Sequence, residues 1–239
     1  MKRITLWLAV ALTTFTLGVV TKLVYVSRSA SNSASVPCPA IKYDVLAVPA
    51  CFPGLSRPVE NLHTPSYFPS GAFYPKPAQE KFTVEWYTQH LKAMGEQSLF
   101  SQTDSSPETY RFLWLRSFHH PVAVRVWSSG DGHFINVKQM DGQGGYQPGK
   151  LITDQTRPLT NAEWDHFLSL LDRSCYWQLR PEIDERGFDG AQWILEGVRD
   201  GRYHVVDRWT PQSGDFREAC LYLLEASNLA IDLSGEDIY

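Results

Sequence analysis

Residues 1–26 restrict the rest of the chain more than any other segment. Met1, Lys2 and Arg3 precede an apolar run from Ile4 to Val20, which extends to Val26 with one interruption at Lys22. A basic start followed by an apolar core is how a secretory signal begins. Ile4–Val26 also has the length of a membrane-spanning helix, which takes about 20 residues. The small-residue cleavage pattern is poor: ending at Ala30 would put Arg28 three residues back. The segment is therefore read as a retained signal anchor, with a cleaved signal peptide as the alternative. Lys2 and Arg3 on one flank are nearly balanced by Lys22 and Arg28 on the other, so charge bias alone does not set the orientation. A leading segment of this kind usually keeps its N-terminus inside. The expected location is thus a single-pass membrane protein with an extracytoplasmic C-terminal domain, or a secreted or periplasmic domain after cleavage. Cys38 follows Ser35-Val36-Pro37, which is not the small-residue context of a lipid-modified cysteine.

Without the leading segment, 18 basic side chains face 26 acidic ones, a formal charge of −8 once Lys2, Arg3, Lys22 and Arg28 are removed from the total of 22. An acidic domain is a poor partner for nucleic acid, which is bound through positive charge. Expected partners are the membrane, through residues 4–26, and another protein.

Residues 27–80 read as a tether and an irregular segment. Ser27–Ser35 is rich in Ser and Ala, and nine prolines from Pro37 to Pro77 break any helical or strand period. Residues 81–239 read as one globular α+β domain. Val84, Tyr87, Leu91 and Met94 recur at helical spacing over Thr83–Met94, closed by Gly95. Strand patterns follow over Tyr110–Arg116, Val122–Trp127, His133–Met140 and Lys150–Gln155, with a hairpin signal at Ser128–Gly132, and these four predict an antiparallel meander. Thr160-Asn-Ala-Glu163 is a capping box that opens a helix. Gln192–Val198 and Arg202–Trp209 flank Asp200-Gly201, a two-residue hairpin turn. A last helix starts near Asp215 and runs to about Ala230. The expected architecture is a mainly antiparallel sheet of about six strands with two or three helices packed on one face.

Four cysteines suit an oxidising compartment. Cys38 and Cys51 bracket the Pro-rich stretch and are expected to bridge it. Cys175 and Cys220 are candidates for a second bridge, with a buried free thiol at Cys220 as the alternative. Spacing alone leaves every pairing open.

Chemistry-bearing residues are sparse. In the hairpin around Asp200-Gly201, pairing Val198 with Tyr203 puts Glu196 and Asp207 on one face and His204 on the other. Glu196, His204 and Asp207 are thus weak catalytic candidates, and the pairing disfavours a local Glu/His acid–base pair. Two carboxylates on one face would suit glycosidase-like work if about 5–9 Å apart. The loop Asp141-Gly142-Gln-Gly144-Gly145-Tyr146 is a candidate ligand-contact loop. It joins two strands and lacks the helix and lysine of a phosphate-binding loop. His119-His120 reads as a turn, since His133 falls at the far end of the intervening strand, and no metal site is expected. Ser174-Cys175 follows a helix C-terminus, where the dipole disfavours a thiolate. No nucleophile elbow or zinc-protease motif occurs and no cofactor is expected. The leading expectation is a non-catalytic, protein-binding envelope domain. The alternatives are a hydrolase of an envelope polymer or small ester, and a carrier of lipid or another small ligand.

Overall fold

A computed structural model describes residues 38, 66–73, 77–103, 107–183, 187, 189–231 and 238. All of these belong to one compact unit, Pro37–Tyr239. The signal-anchor reading of residues 4–26 lies outside the described residues; among those described, no helix is long and apolar enough to cross a membrane.

Helix α1 spans Pro77–Ala93 and precedes strands β1 (Thr109–Arg116), β2 (Val122–Ser129), β3 (Gly132–Met140) and β4 (Leu151–Leu159). Helix α2 (Asn161–Arg173) and a 3₁₀ turn at Tyr176–Gln178 lead to β5 (Ala191–Arg199), β6 (Arg202–Trp209) and α3 (Asp215–Ala226). The six strands form one antiparallel sheet in the order β4-β3-β2-β1-β5-β6. The meander and the second hairpin are as expected, and β1 joins them by pairing with β5 from Thr109↔Val198 to Arg116↔Ala191. The β5–β6 register also matches: Val198 pairs with Tyr203 and Gly197 with His204. Asp200 and Gly201 both have positive φ, 53° and 68°, which is what a tight two-residue hairpin requires.

Local signals set several boundaries. Thr160 caps α2 with a complete capping box: Glu163 N–H donates to Thr160 Oγ1 at 3.2 Å, and Glu163 Oε2 accepts from Thr160 N–H at 2.8 Å. Helix α3 stops four residues short of the expected Ala230, because Asn228 takes a left-handed φ of 55° just past its end. Strand β4 runs on through Pro158 to Leu159, beyond the expected Gln155; it lies at a sheet edge, where a missing N–H is tolerated.

Two expectations are corrected. The helices do not all lie on one face. Alternate side chains of the central strands enter two separate cores. Phe112, Trp114, Val124, Leu195 and Val206 pack with α2 and α3, whereas Leu113, Leu115, Ala123, Ile194 and Val205 pack with Tyr87 and Leu91 of α1 and with Met94 just past its end. Every side chain of β1 is consequently buried. The cysteine pairing also differs. Cys38 bonds Cys175, not Cys51, and Cys220 is a free thiol buried among the α2–α3 core residues, so Cys175 and Cys220 are not a pair. Cys51 lies outside the described residues. Cys220 belongs to the apolar stripe of α3, while Cys175 sits at the turn after α2, where its sulfur is bonded to Cys38. Burial pushes the Cys220 thiol well above its ordinary pKa.

The Cys38–Cys175 bridge spans 137 residues of sequence. Replacing Cys38 by Ser is expected to lower stability by about 2–4 kcal/mol, the usual range for a bridge that restricts the unfolded chain. Denaturant midpoints of the oxidised protein and the C38S variant measure this, and identical midpoints would remove the bridge from the account.

Candidate functional site

The α1 face of the sheet carries a network of buried charges, and exposed aromatic rings lie beside it. The charges seat the C-terminal end of α1. Arg111 projects from the centre of β1 and is fully buried. Its Nε and Nη2 both donate to Glu196 Oε2, at 2.8 and 2.6 Å, and its Nη1 donates to the Gln97 carbonyl at 2.6 Å. Tyr203 Oη donates to Glu196 Oε1 at 2.9 Å. Glu96, just beyond α1, meets three cations: Arg111 at 3.2 Å, Arg125 at 2.9 Å and Lys138 at 3.0 Å. Lys138 also donates to the Met94 carbonyl at 2.9 Å, capping the C-terminal end of α1 where a cation is favoured. Charges on β1, β2, β3 and β5 thus converge on the segment that ends α1.

Electrostatics follow from this packing. Burial raises the Glu96 pKa, but Arg111, Arg125 and Lys138 outweigh it and hold the carboxyl below its ordinary value. Burial also raises the Glu196 carboxyl, with Arg111 and Tyr203 pulling against it. Burial lowers Arg111, and the two glutamates more than reverse that. Such a network is an anchoring device: unpairing one member leaves a buried charge uncompensated.

The three catalytic candidates do not converge. Glu196 is inside the ion network with no exposed surface. Asp207 lies on the same sheet face, as the register requires, and accepts a hydrogen bond from Tyr87 Oη at 2.7 Å. His204 is on the opposite face, buried under Tyr176 and Trp177 at ring separations of 5.0 and 6.0 Å. Burial lowers its pKa to about 4, so the ring is neutral at pH 7. His133 stacks on Trp164 at 4.7 Å, at the far end of β2 from His119 and His120. Among the described residues no group of His, Cys, Asp or Glu is arranged to hold a metal ion.

The loop from Asp141 to Tyr146 has a clear internal logic. Gly144 N–H donates to the His119 carbonyl at 2.9 Å and Gly145 N–H to the Ser117 carbonyl at 3.1 Å. Its amides are therefore used against the β1–β2 turn. A Cβ on Gly144 would come within 2.5 Å of the Arg116 carbonyl oxygen, so only glycine allows this approach. Asp141 closes the loop, its Oδ1 accepting from Lys150 N–H at 2.6 Å. A Cβ on Gly142 would meet the Gln147 carbonyl at 2.1 Å. Helix α1 clamps the loop from outside: Trp86 Nε1–H donates to the Gly144 carbonyl at 2.8 Å, and Gln89 Nε2 donates to the Tyr146 carbonyl at 3.0 Å. His90 is fully buried beside Gly144, without a hydrogen bond of good geometry, and burial lowers its pKa to about 4.

This clamp lines up four aromatic side chains on the outside of the molecule. Phe82 is 67% exposed and lies 6.3 Å from Trp86; Tyr146 is 56% exposed and lies 6.2 Å from Phe118, itself 49% exposed. Trp86 links the two pairs through its bond to Gly144. Beside Phe82 and Trp86 opens a cleft of about 60 Å³, with Thr83, Tyr87, Asp207, Glu182 and Trp209 among its walls. Sequence reasoning named Tyr146 and Asp207 but missed Phe82, Trp86 and Phe118, because an exposed ring and a buried ring look alike in a helical or turn pattern. Comparison with models of known protein families finds no match, and comparison with curated proteins finds none either.

Proposed function

We propose that this chain is a non-catalytic, protein-binding domain that works outside the cytoplasm, tethered to a membrane through residues 4–26. One observation carries the reading: a strip of four aromatic side chains, three of them exposed, laid across α1, the β1–β2 turn and the glycine loop. Exposed aromatic side chains that run together mark interaction sites, and aromatics are enriched at the cores of protein interfaces. The Trp86 ring is held by its hydrogen bond to Gly144 and the Tyr146 backbone by Gln89, which lowers the ordering cost to be met on binding. The adjoining cleft is far below the roughly 300–1,000 Å³ of a small-molecule site. Hydrolysis by Glu196 or Asp207 is not supported, since Glu196 is already committed to Arg111 and Tyr203.

The test is a pull-down of the full-length chain from its native envelope, compared with a Phe82→Ser/Tyr146→Ser variant of unchanged thermal midpoint. One stoichiometric partner, lost in the variant, is the expected result. A partner retained equally by the variant would place binding elsewhere. The wild-type chain emerging alone would reject the reading and leave hydrolytic or carrier activity to be screened.

A further inference from the structure

The two edges of the sheet differ. At β6 the chain covers its own edge: Asp207 N–H donates to the Pro181 carbonyl at 2.6 Å, and Arg208 Nη1 and Nη2 donate to the Pro181 and Arg180 carbonyls at 3.2 and 2.8 Å. At the other edge, every side chain of β4 except Leu159 is at least partly exposed, Leu151 to 41% and Ile152 to 52%. Bonding alternates along antiparallel strands, and the two-residue turns at Ser129–Gly132 and Arg199–Arg202 set its phase across the sheet. Thr153, Gln155 and Arg157 therefore bond β3, and the backbone N–H and C=O groups of Asp154 and Thr156 point away from it. None of these groups has a partner among the described residues.

This open window is short and closed at both ends. Pairing with β3 jumps from Gln139↔Thr153 to Met140↔Leu151, which leaves Ile152 as a bulge. Pro158 has no N–H, and its carbonyl accepts from Arg157 Nη1 at 3.0 Å. Ile152 and Pro158 are equally far from Gln155 along the strand, so the window is symmetric about that residue. Free charge, a common guard of sheet edges, does not protect it. Asp154 accepts from Asn136 at 2.8 Å and faces Lys138 at 4.0 Å, and Arg157 is paired with Glu163 at 3.0 Å.

We propose that β4 pairs antiparallel with β4 of a second copy of this chain, across a two-fold axis at Gln155. Asp154 then exchanges both of its backbone hydrogen bonds with Thr156 of the second copy, and Thr156 does the same with Asp154 of that copy. In this register Asp154 does not oppose its own counterpart, as it would in a pairing centred one residue earlier. Ile152, exposed in one copy, comes beside Pro158 of the other at each end. A second copy thus matches the window at both ends by symmetry, which favours it over a strand of another protein. So short a ladder makes a weak dimer in solution. Confinement to a membrane, as proposed above, raises the effective concentration that such a contact needs. The axis runs normal to the sheet, so both α1 faces lie on one side of the joined sheet and the two aromatic strips face the same way.

The test is cysteine crosslinking of the full-length chain in its native membranes, with the unsubstituted chain as the baseline for its own cysteines. Gln155→Cys stands on the axis, in a non-hydrogen-bonded pair whose Cα atoms are about 4.5 Å apart, within the range of a disulfide. Thr153→Cys would face residue 157 of the second copy, about 13 Å along the strand from its own counterpart. Arg202→Cys lies on the far edge of the sheet, on β6. Mild oxidation is expected to give about tenfold more disulfide dimer from Gln155→Cys than from the other two, since only there do two thiols come within bonding distance. Adding Thr156→Pro, which deletes an outward N–H and leaves the ladder to β3 intact, is expected to remove that dimer, and Thr156→Val to keep it. If the Thr156→Pro chain does not fold, the contrast among the three cysteine positions decides. No dimer above the baseline at position 155, equal dimer at all three positions, or a disulfide from position 155 to a different protein overturns the pairing. A folded Thr156→Pro chain that crosslinks as well as Thr156→Val overturns it too. A dimer of this kind with no other protein in the pull-down upholds the pairing and rejects the binding-module reading.

Discussion

Replacing Arg111 by Met is expected to destabilise the protein by about 3–5 kcal/mol, the cost of breaking a buried ion network by removing one partner. Arg111 donates to both Glu196 and the Gln97 carbonyl and faces Glu96. Without it, Glu196 keeps only the Tyr203 hydroxyl among these partners. The loss is not spread evenly. Hydrogen exchange is expected to accelerate first in α1, because Gln97 and Glu96 are the points at which its end is held, while α2 and α3 pack on the other face. Adding Glu196→Leu to the Arg111→Met variant removes the orphaned charge and is expected to recover much of the stability. Urea midpoints with unchanged m-values measure both steps. A loss below about 1 kcal/mol for Arg111→Met, the scale of a surface pair, would show that the network is not a seat for α1.

The second large effect is acid lability. His90 and His204 are buried on opposite faces of the sheet, and burial lowers both from 6.5 to about 4. Each folded-state pKa is depressed, so between pH 6.5 and 4 the unfolded chain binds protons that the folded chain does not. Stability from these two rings is therefore complete above pH 6.5 and lost as pH falls toward 4. The loss is on the order of 3 kcal/mol for each ring. Glu96 acts in the same direction at lower pH, since its depressed carboxyl keeps its stabilising charge until it too is protonated. Denaturant midpoints across pH 7 to 4 are expected to fall steeply, and His90→Leu is expected to flatten about half of the slope. A flat profile in the unsubstituted protein would mean that the two rings are hydrated or paired in solution.

How much of this was legible in the sequence depends on range. The Asp200-Gly201 turn forces positive φ at two adjacent residues, and from that one local fact the whole β5–β6 register follows, including the separation of His204 from Glu196 and Asp207. The Thr160–Glu163 capping box is equally local. The side of the sheet taken by α1 was not legible. Its buried face mixes Tyr87 and Leu91 with Thr83 and His90, and it leaves Phe82 in solvent, so its amphipathic pattern is weak. The ion network was hidden for another reason. Glu96, Arg111, Arg125, Lys138 and Glu196 come from a loop and four strands, and nothing local distinguishes them from charges on a solvated face. Disulfide pairing is likewise a property of three-dimensional proximity: the folded domain brings Cys38 to the turn after α2, whereas sequence proximity favoured Cys51. The glycine loop was read as a candidate ligand-contact loop; in the structure its glycines serve close packing, Gly144 and Gly145 against the β1–β2 turn, and its one outward-facing ring is Tyr146.

The central claim is that the face formed by α1, the β1–β2 turn and the glycine loop is where this domain meets another protein. The most direct measurement places a photo-crosslinking amino acid at position 146, and separately at the exposed position 165 on α2, in the full-length chain in its native envelope. Irradiation is expected to give one discrete heavier species from position 146 and none from position 165. Equal crosslinking from both positions, or none from position 146, would contradict the claim.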